Sequence, residues 1–358
     1  LMYSGTQLFL IYAGLFFAAL LFSLVVNSVF MRFFRTFGIR EQEGMVRWAA
    51  SSKPAFGGIG FFIIFLGSFA VNGALFPKLS DPLQPGLLGL LAATGLGFLM
   101  GLADDAYNTR PLLKFATQVF CGILLILGGT SIHVFDIPWA DQVLTVLWVV
   151  GMMNSINMLD NMDGITTVTS LGILAAGLLV YQMNGPRMSI DMVLIIGVMA
   201  SLAGFLFYNW NPSRMFMGDT GSQFLGVFLA YVGIRCLWNG ASPTGEMEPW
   251  RQACMALVVF LLPIADTTTV TINRLLRGTS PFVGGKDHTT HHLSYAGLSD
   301  AQVALTFGAL SGVSWLLTFV ALKFIPVWKN FHSLIYVGYA LVVFALLFGL
   351  TRRTRRTP

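Results

Sequence analysis

Four polar side chains recur at every third position in a chain that is otherwise strongly apolar. They are Asn154, Asn157, Asp160 and Asp163, and they end in the stretch NMLDNMDG at residues 157–164. On a helix they would form one polar stripe. Polar groups in membrane spans usually face a cavity or the bundle interior and mark function. Hydrogen-bonded helix packing is the alternative, although two carboxylates suit it poorly. Gly164 would begin the next helix, whose free amides could bind an anion.

A second acidic motif is the adjacent pair Asp104 and Asp105, which ends another apolar run. Arg110 and Lys114 follow within ten residues. Adjacent carboxylates repel each other, and burial disfavours their charged form, so the pair needs a divalent cation, nearby bases or a proton. A solvated helix end with a local salt bridge would explain the same residues.

A third carboxylate, Asp219, stands in the segment MFMGDTGS, where Gly218 breaks the chain before the next apolar run. At a helix start it could serve as an ordinary cap, worth about 1 kcal/mol. It could equally hold Mg²⁺ while the free amides of the first turn face a phosphate. The segment alone favours neither role.

Three of the five histidines lie together in KDHTTHH: His288, His291 and His292. Basic residues precede them, which suits an anionic substrate. Zinc is the competing explanation for clustered histidines. The three cysteines have no metal-ligand spacing and are expected to be core residues. Hard oxygen ligands dominate the motifs and favour Mg²⁺.

The elements that must position these groups are membrane helices. The chain of 358 residues is 55% hydrophobic and 10% charged, against about 25% charged in soluble domains. We predict an all-α polytopic membrane bundle of about eleven transmembrane helices, forming a single domain over residues 1–358. The first run is too long for a signal peptide. The apolar runs are 7–29, 56–76, 86–103, 112–129, 143–159, 165–183, 191–209, 221–238, 252–272, 302–322 and 331–350.

Charge asymmetry predicts the orientation of the bundle. Eleven basic residues in alternate loops and four in the C-terminal tail would lie on one side, out of 21 in the chain. The positive-inside rule then predicts an N-terminus outside and a C-terminus in the cytoplasm. All four motifs fall on the cytoplasmic face in this arrangement, which predicts one shared site there. The net charge of +5 is explained by topology and does not indicate nucleic acid as a partner.

In this order, the four motifs resemble those of the polyprenyl-phosphate N-acetylhexosamine-1-phosphate transferases, glycosyltransferase family 4. The resemblance runs from about Arg47 to Leu298. It implies a multi-pass enzyme of the bacterial plasma membrane with a cytoplasmic active site. Such enzymes move a sugar 1-phosphate from a UDP-sugar donor to a polyprenyl phosphate acceptor and release UMP. The implied cofactor is Mg²⁺, with Mn²⁺ as a substitute, and a homodimer is one arrangement considered.

The resemblance also implies roles for individual residues. It makes Asp219 a metal ligand, assisted by Asp160, and lets Phe216 stack on uracil. The other implied substrate-binding residues are Asn157, Asp160, Arg47, Lys53 and Lys114. The implied catalytic residues are Asp104, Asp105, Asp163, His288, His291 and His292. One departure concerns the histidines: the family spaces them as a histidine, one residue and two histidines. Thr289 stands at the first position here, so His288 lies outside the pattern.

Two questions about the reaction stay open. The lipid phosphate could attack the donor directly, which we favour, or an aspartate could form a covalent phosphosugar first. The segments HTTHH and NMLDNMDGITT favour UDP-N-acetylglucosamine as donor. The alternative is the phospho-N-acetylmuramoyl-pentapeptide transferase of peptidoglycan synthesis. A transporter is the rival class, but its ionisable groups would lie near mid-membrane.

Overall fold

The computed structural model describes residues 4–37, 53–75, 84–183, 189–240, 248–281 and 284–354, which contain helices and no strand. A π-helical segment, Gly233–Trp238, directly follows the eighth α-helix. All eleven predicted apolar runs fall on helices. The α-helices are α1 Gly5–Phe37, α2 Gly57–Leu75, α3 Pro85–Tyr107, α4 Pro111–Leu127, α5 Pro138–Leu159, α6 Ile165–Met183, α7 Ile190–Asn209, α8 Gly218–Val232, α9 Pro249–Val259, α10 Leu261–Leu276, α11 Thr289–Tyr295, α12 Asp300–Lys323 and α13 Asn330–Arg353.

The predicted multi-pass helical bundle is confirmed, but two of the eleven runs are not simple spans. Nine helical segments of the described residues are long and apolar enough to cross a membrane. Helices α9 and α10 form a further candidate that is bent by 72° at their junction. Helix α4 has 17 residues, which cover about 26 Å at ~1.5 Å per residue, less than the ~30 Å of a hydrocarbon core. The count reaches eleven only when both are included.

Helix α8 is the centre of the bundle. Every residue from Thr220 to Val232 is buried, against α2, α3 and α5. By contrast, α1 lies at the periphery, where only 6% of its apolar stretch is buried. Close packing at the start of α8 requires glycine. A Cβ on Gly58 would lie 2.1 Å from Gly221 N, and one on Gly101 would lie 2.3 Å from Asp219 O. Because both obstacles are backbone atoms, side chains at these glycines would push the helices apart.

The two ends of the bundle use their polar groups differently. At the end where α7 begins, charges are paired for structure: Arg235 lies 3.1 Å from Asp191, and buried Arg251 lies 2.6 Å from Glu248. The partner of Asp191 is 44 residues away in the chain, whereas Glu248 and Arg251 are three residues apart at the start of α9. Helix α1 begins at this end, near Ser189, whereas α13 ends at the other. The other end contains the four motifs.

Candidate active site

A cavity of about 510 Å³ opens at the end of the bundle where α3, α5 and α7 stop and α4, α6 and α8 start. All four motifs that the sequence groups into one predicted site contribute residues to this cavity. Ten of the residues to which the family resemblance assigns a role line the cavity: Asp104, Asp105, Lys114, Asn157, Asp160, Asp163, Phe216, Asp219, His288 and His291.

Lys114 connects two of the acidic motifs. Its Nζ lies 2.7 Å from Asp104 Oδ2 and 3.3 Å from Asp219 Oδ2. The side chains of Lys114 and Asp104 are 19% and 9% exposed, so this contact is shielded from water. Thr109 completes the setting of Asp104, donating from its amide at 2.9 Å and its hydroxyl at 2.5 Å to Oδ1. The ammonium offsets part of the repulsion between two carboxylates that come from separate helices.

Asn157, at the last turn of α5, orients Asp219. Its Nδ2 donates to Asp219 Oδ1 at 2.6 Å and to Ser222 Oγ at 2.9 Å. Its Oδ1 is 3.5 Å from Lys114 Nζ. One amide therefore contacts both the acid and the base of the adjacent motifs, which explains why an asparagine suits this position.

Asp105 differs from Asp104 in its surroundings. Its Oδ1 accepts from the Asp219 amide at 2.9 Å, and its Oδ2 accepts from the Thr220 amide and hydroxyl at 2.8 and 2.6 Å. A residue of α3 thus caps the N-terminus of α8, so the Asp219 side chain does not serve as the cap. The cap that the sequence allowed for Asp219 belongs to Asp105, so Asp105 fits a positioning role better than a catalytic one.

The predicted polar stripe is wrong beyond Asn157, because α5 ends at Leu159 with Asp160 as its C-cap. Asp160 and Asp163 therefore lie in the turn before α6. Asp163 anchors the loop before α8, accepting from Ser213 N at 2.9 Å and Ser213 Oγ at 2.7 Å. At the start of α6, where the sequence predicts amides free to bind an anion, the Gly164 amide instead donates to Asn209 Oδ1 at 3.1 Å.

Phe216 lies where two chain segments run side by side. Its amide donates to Pro54 O at 2.8 Å, and its carbonyl accepts from the Gly57 amide at 3.2 Å. Lys53 lies over its ring, 5.0 Å from the centroid, and donates to Ser213 at 2.9 Å. Lys53 is thus beside the cavity. Arg47, the other expected basic residue, lies outside the described residues.

Only two of the three histidines that were expected to be catalytic line the cavity. His288, which departs from the family spacing, and His291 both line the cavity. His292 does not line it; its Nδ1 is 2.7 Å from Thr354 Oγ1 at the end of α13. The short helix α11 places residues three apart on one face and the next residue on another. A catalytic role for His292 therefore does not fit its position.

The sequence analysis gave no role to three charged residues that lie in or beside this cavity. Buried Asp266 contacts His288 at 2.8 Å, and Arg274 pairs with Asp287 through Nη2–Oδ1 at 2.6 Å and Nε–Oδ2 at 2.9 Å. Arg274 also donates to Pro281 O at 2.7 Å, so it shapes the loop that carries Lys286 and His288. The signal that could have identified them was the presence of Asp266 and Arg274 in one amphipathic helix, just before the histidine segment.

The surroundings also fix the charges of this loop. Burial, and then the neighbouring His288 ring, lower the pKa of His291 to about 3. For Asp287, burial opposes ionisation, but the hydrogen bonds and charge of Arg274 outweigh it and lower the pKa. At neutral pH the loop therefore presents an uncharged His291 and an ionised Asp287.

The described residues do not form a complete protein cage for a metal, since they contain no group of three or more His, Cys, Asp or Glu side chains at ligand spacing. The donor set nevertheless suits Mg²⁺, which is commonly held by one or two carboxylates, water and substrate phosphates. Oxygens of Asp104, Asp219 and Asn157 surround the Lys114 ammonium. The carboxylate and amide oxygens that Mg²⁺ would need therefore already lie around one positive charge, the ammonium of Lys114.

Comparisons with known proteins agree with this geometry. The family model for glycosyl transferase family 4 matches residues 87–237, which include three of the four motifs. A probable undecaprenyl-phosphate N-acetylglucosaminyl 1-phosphate transferase of Bacillus subtilis is 27% identical, over 92% of this chain and 88% of its own length. A decaprenyl-phosphate N-acetylglucosaminephosphotransferase of Mycolicibacterium smegmatis is 27% identical, over 70% and 68%.

A third relative is named for a different activity. The phospho-N-acetylmuramoyl-pentapeptide-transferase of Staphylococcus epidermidis is 31% identical over 55% of this chain and 66% of its own length. All three relatives are polyprenyl- or muramoyl-type phosphosugar transferases by name. Together with the family match and the multi-pass bundle, they show that the chain belongs to glycosyl transferase family 4.

Proposed function

We propose that this protein transfers N-acetylglucosamine 1-phosphate from UDP-N-acetylglucosamine to undecaprenyl phosphate and releases UMP. The observation that carries the proposal is the joining of Asp219, Asn157 and Asp104 around Lys114 in one cavity. The name of the B. subtilis relative, matched along nearly the whole chain, supports this donor and acceptor. The reaction would be the first membrane step of a cell-envelope glycan.

The position of the cavity suits reactants from two phases. It opens at one end of an apolar bundle, so a water-soluble nucleotide sugar and a lipid phosphate can both reach it. The excess of basic residues near this end supports a cavity on the cytoplasmic face of the plasma membrane, with the N-terminus outside. Nucleotide sugars are then available on the same side as the site.

The reaction is a direct displacement at phosphorus. An oxygen of the lipid phosphate attacks the sugar-bearing phosphorus of the donor, and the bond from that phosphorus to the bridging oxygen breaks. UMP leaves with the bridging oxygen, and the lipid carries a diphosphate linked to the sugar. The attacking oxygen is already ionised at neutral pH, so no proton has to be removed and a strong general base is unnecessary.

The main task of the protein is therefore to hold two anions together. Lys114, between Asp104 and Asp219, is placed to exchange carboxylate contacts for phosphate contacts when substrates enter. Lys53 and Lys286 add positive charge near the cavity. Of the two carboxylates, that of Asp104 lies closer to Lys114 Nζ, and Asp104 is assigned to the lipid-phosphate side.

Mg²⁺ would be held by Asp219, with Asp104 and the Asn157 carbonyl oxygen nearby and Asp160 at the cavity wall. When bound, the ion would neutralise the diphosphate and the leaving UMP. Phe216, which lines the cavity, is assigned to stacking on the uracil ring. His288 and His291 are assigned to the diphosphate or sugar of the donor.

One observation supports an alternative donor. The S. epidermidis relative is a phospho-N-acetylmuramoyl-pentapeptide-transferase, so UDP-N-acetylmuramoyl-pentapeptide is the alternative donor. The separated histidines of this chain and its longer match to the B. subtilis relative favour N-acetylglucosamine.

The proposal is tested with purified protein in detergent, undecaprenyl phosphate, Mg²⁺ and a panel of UDP-sugars. The lipid product is identified by mass spectrometry. We expect undecaprenyl diphosphate N-acetylglucosamine only with UDP-N-acetylglucosamine, and no product with EDTA. A product formed only with the muramoyl-pentapeptide donor would assign the alternative function. No lipid product with any donor would refute transferase activity.

A further inference from the structure

A buried carboxylate outside the expected site residues holds one of the cavity histidines. Asp266 of α10 is fully buried, with no exposed surface. Its Oδ2 lies 2.8 Å from His288 Nδ1. Its Oδ1 accepts from the Thr289 amide at 2.8 Å and from the Thr289 hydroxyl at 2.6 Å. All three partners of this carboxylate belong to His288, the N-cap of α11, and to Thr289, its first residue.

The bend in the α9–α10 pair brings Asp266 to this place. The break at Phe260 turns α10 by 72° relative to α9, and Asp266 stands on the second turn after the break. An ion or a polar group so deeply buried is stable only with full hydrogen bonding. Asp266 therefore depends on the correct position of α11, and α11 depends on Asp266.

The contact also determines what the His288 ring presents to substrate. A carboxylate oxygen accepts hydrogen bonds, so the ring donates from Nδ1. The other ring nitrogen, Nε2, is then available to the cavity, whose wall includes His288. A histidine that is oriented through Nδ1 by a carboxylate is fixed in both rotation and tautomer.

We propose that Asp266 is a positioning residue, which orients His288 so that Nε2 contacts the sugar-phosphate donor. This inference rests on the proposed function. It also explains how His288, which lies outside the family spacing, reaches the site. Thr289, at the first position of that spacing, is hydrogen-bonded to Asp266, and the same carboxylate holds His288 at the cavity. A purely structural cap of α11 by Asp266 is the alternative, because two of its three hydrogen bonds go to Thr289.

Two substitutions separate these roles. In Asp266→Asn, the amide oxygen can still accept from Thr289, but the amide nitrogen faces His288 Nδ1 and cannot accept its proton. The matched control, Thr289→Val, removes a hydrogen bond from the same carboxylate and leaves the His288 contact intact. Steady-state kcat/KM for UDP-N-acetylglucosamine is measured for both, together with His288→Ala and the double variant Asp266→Asn/His288→Ala.

We expect Asp266→Asn to lower kcat/KM about 10²-fold, the scale of a misplaced catalytic contact. Thr289→Val should stay within a few-fold of wild type. The double variant should be no worse than His288→Ala, because both changes remove the same contact. Losses that multiply in the double variant, or an equal loss in Thr289→Val, would overturn the proposal in favour of a cap.

A second variant covers the case in which Asp266→Asn does not fold. In His288→Asn, the amide nitrogen replaces Nδ1 and keeps Asp266 hydrogen-bonded, while no group replaces Nε2. We expect a wild-type melting temperature in detergent and a similar ~10²-fold loss of kcat/KM. Near-normal activity would refute a role for Nε2. Wild-type protein that releases no UMP would instead refute the proposed function, so the two failures are distinguishable.

Discussion

Asp105 caps the helix that carries Asp219, with Asp105 Oδ1 2.9 Å from the Asp219 amide nitrogen. The adjacent Asp104 turns to the Lys114 ammonium instead. Two neighbouring carboxylates of α3 therefore have separate tasks. One fixes the position of α8, and the other shares a cation with the side chain that α8 presents to the cavity.

Loss of this cap should disturb the site through the backbone. We expect Asp105→Ala to destabilise the protein by about 1–2 kcal/mol, the upper range for helix caps, and to reduce turnover. Added Mg²⁺ should not restore the activity, because the start of α8 has moved. Thermal unfolding in detergent and UMP release measure the two effects. Thr220→Val, which removes one of the three hydrogen bonds, is the milder control. Unchanged stability of Asp105→Ala would contradict the capping role.

Lys114→Met tests the shared cation. Without the ammonium, Asp104 and Asp219 face each other with uncompensated charge, so a divalent ion should bind more tightly. We expect a lower dissociation constant for Mn²⁺ by calorimetry, but a loss of turnover because the phosphates lose their lysine. Lys53→Met, which removes a base beside the cavity, should leave Mn²⁺ affinity nearly unchanged. Unaltered Mn²⁺ binding in Lys114→Met would show that the ammonium and the metal occupy different places.

The aromatic ring of Phe216 gives a prediction about donor binding. Stacking of a base on an aromatic side chain contributes about 1–3 kcal/mol, so Phe216→Leu should weaken UDP-sugar binding about tenfold or more. Phe216→Tyr keeps the ring and should bind nearly as wild type. Titration calorimetry with UDP-N-acetylglucosamine measures both. Equal affinities of the leucine and tyrosine variants would exclude stacking on this ring.

The low pKa of His291 predicts acid sensitivity. Its pKa is lowered from 6.5 to about 3, so below about pH 6.5 the unfolded chain binds a proton at His291 that the folded chain does not. Protonation of the unfolded chain then favours unfolding, and the melting temperature should fall between pH 6.5 and 4.5. Asp287, whose pKa is lowered, contributes only below this window, near pH 4.

The matched variant for this prediction is His291→Gln, which has no group that titrates in the window. Its melting temperature should depend less steeply on pH than that of wild type, although His292 keeps part of the slope. Identical slopes for the two proteins would show that His291 is not held neutral by the fold.

The sequence predicted the helices and the grouping of the four motifs because both depend on local patterns. Apolar runs about as long as a bilayer is thick locate the membrane helices. The asymmetry of basic residues between alternate loops predicts that the four motifs lie at the same end of the bundle. The same patterns placed Asp104, Asn157 and Asp219 in one cavity. These predictions need only the period and length of the segments.

What the sequence could not predict depends on contacts between distant segments. The cap by Asp105 joins residues 114 positions apart, and Asp266 meets His288 only because the α9–α10 pair is bent. The prediction that the polar stripe continues along one helix through Asp160 was wrong. The end of a helix depends on such distant contacts as well as on the spacing of residues in the sequence. His292 was misplaced since a seven-residue helix turns adjacent histidines to different sides.

The most direct test compares wild type with Asp219→Ala in UMP release from UDP-N-acetylglucosamine, with undecaprenyl phosphate present or omitted and Mg²⁺ varied. The account predicts UMP from wild type only when lipid and Mg²⁺ are both present, and none from Asp219→Ala at any Mg²⁺ concentration. Near-normal release by Asp219→Ala would contradict the assignment of Asp219 and of the cavity. Release by wild type without lipid would contradict direct attack by the lipid phosphate.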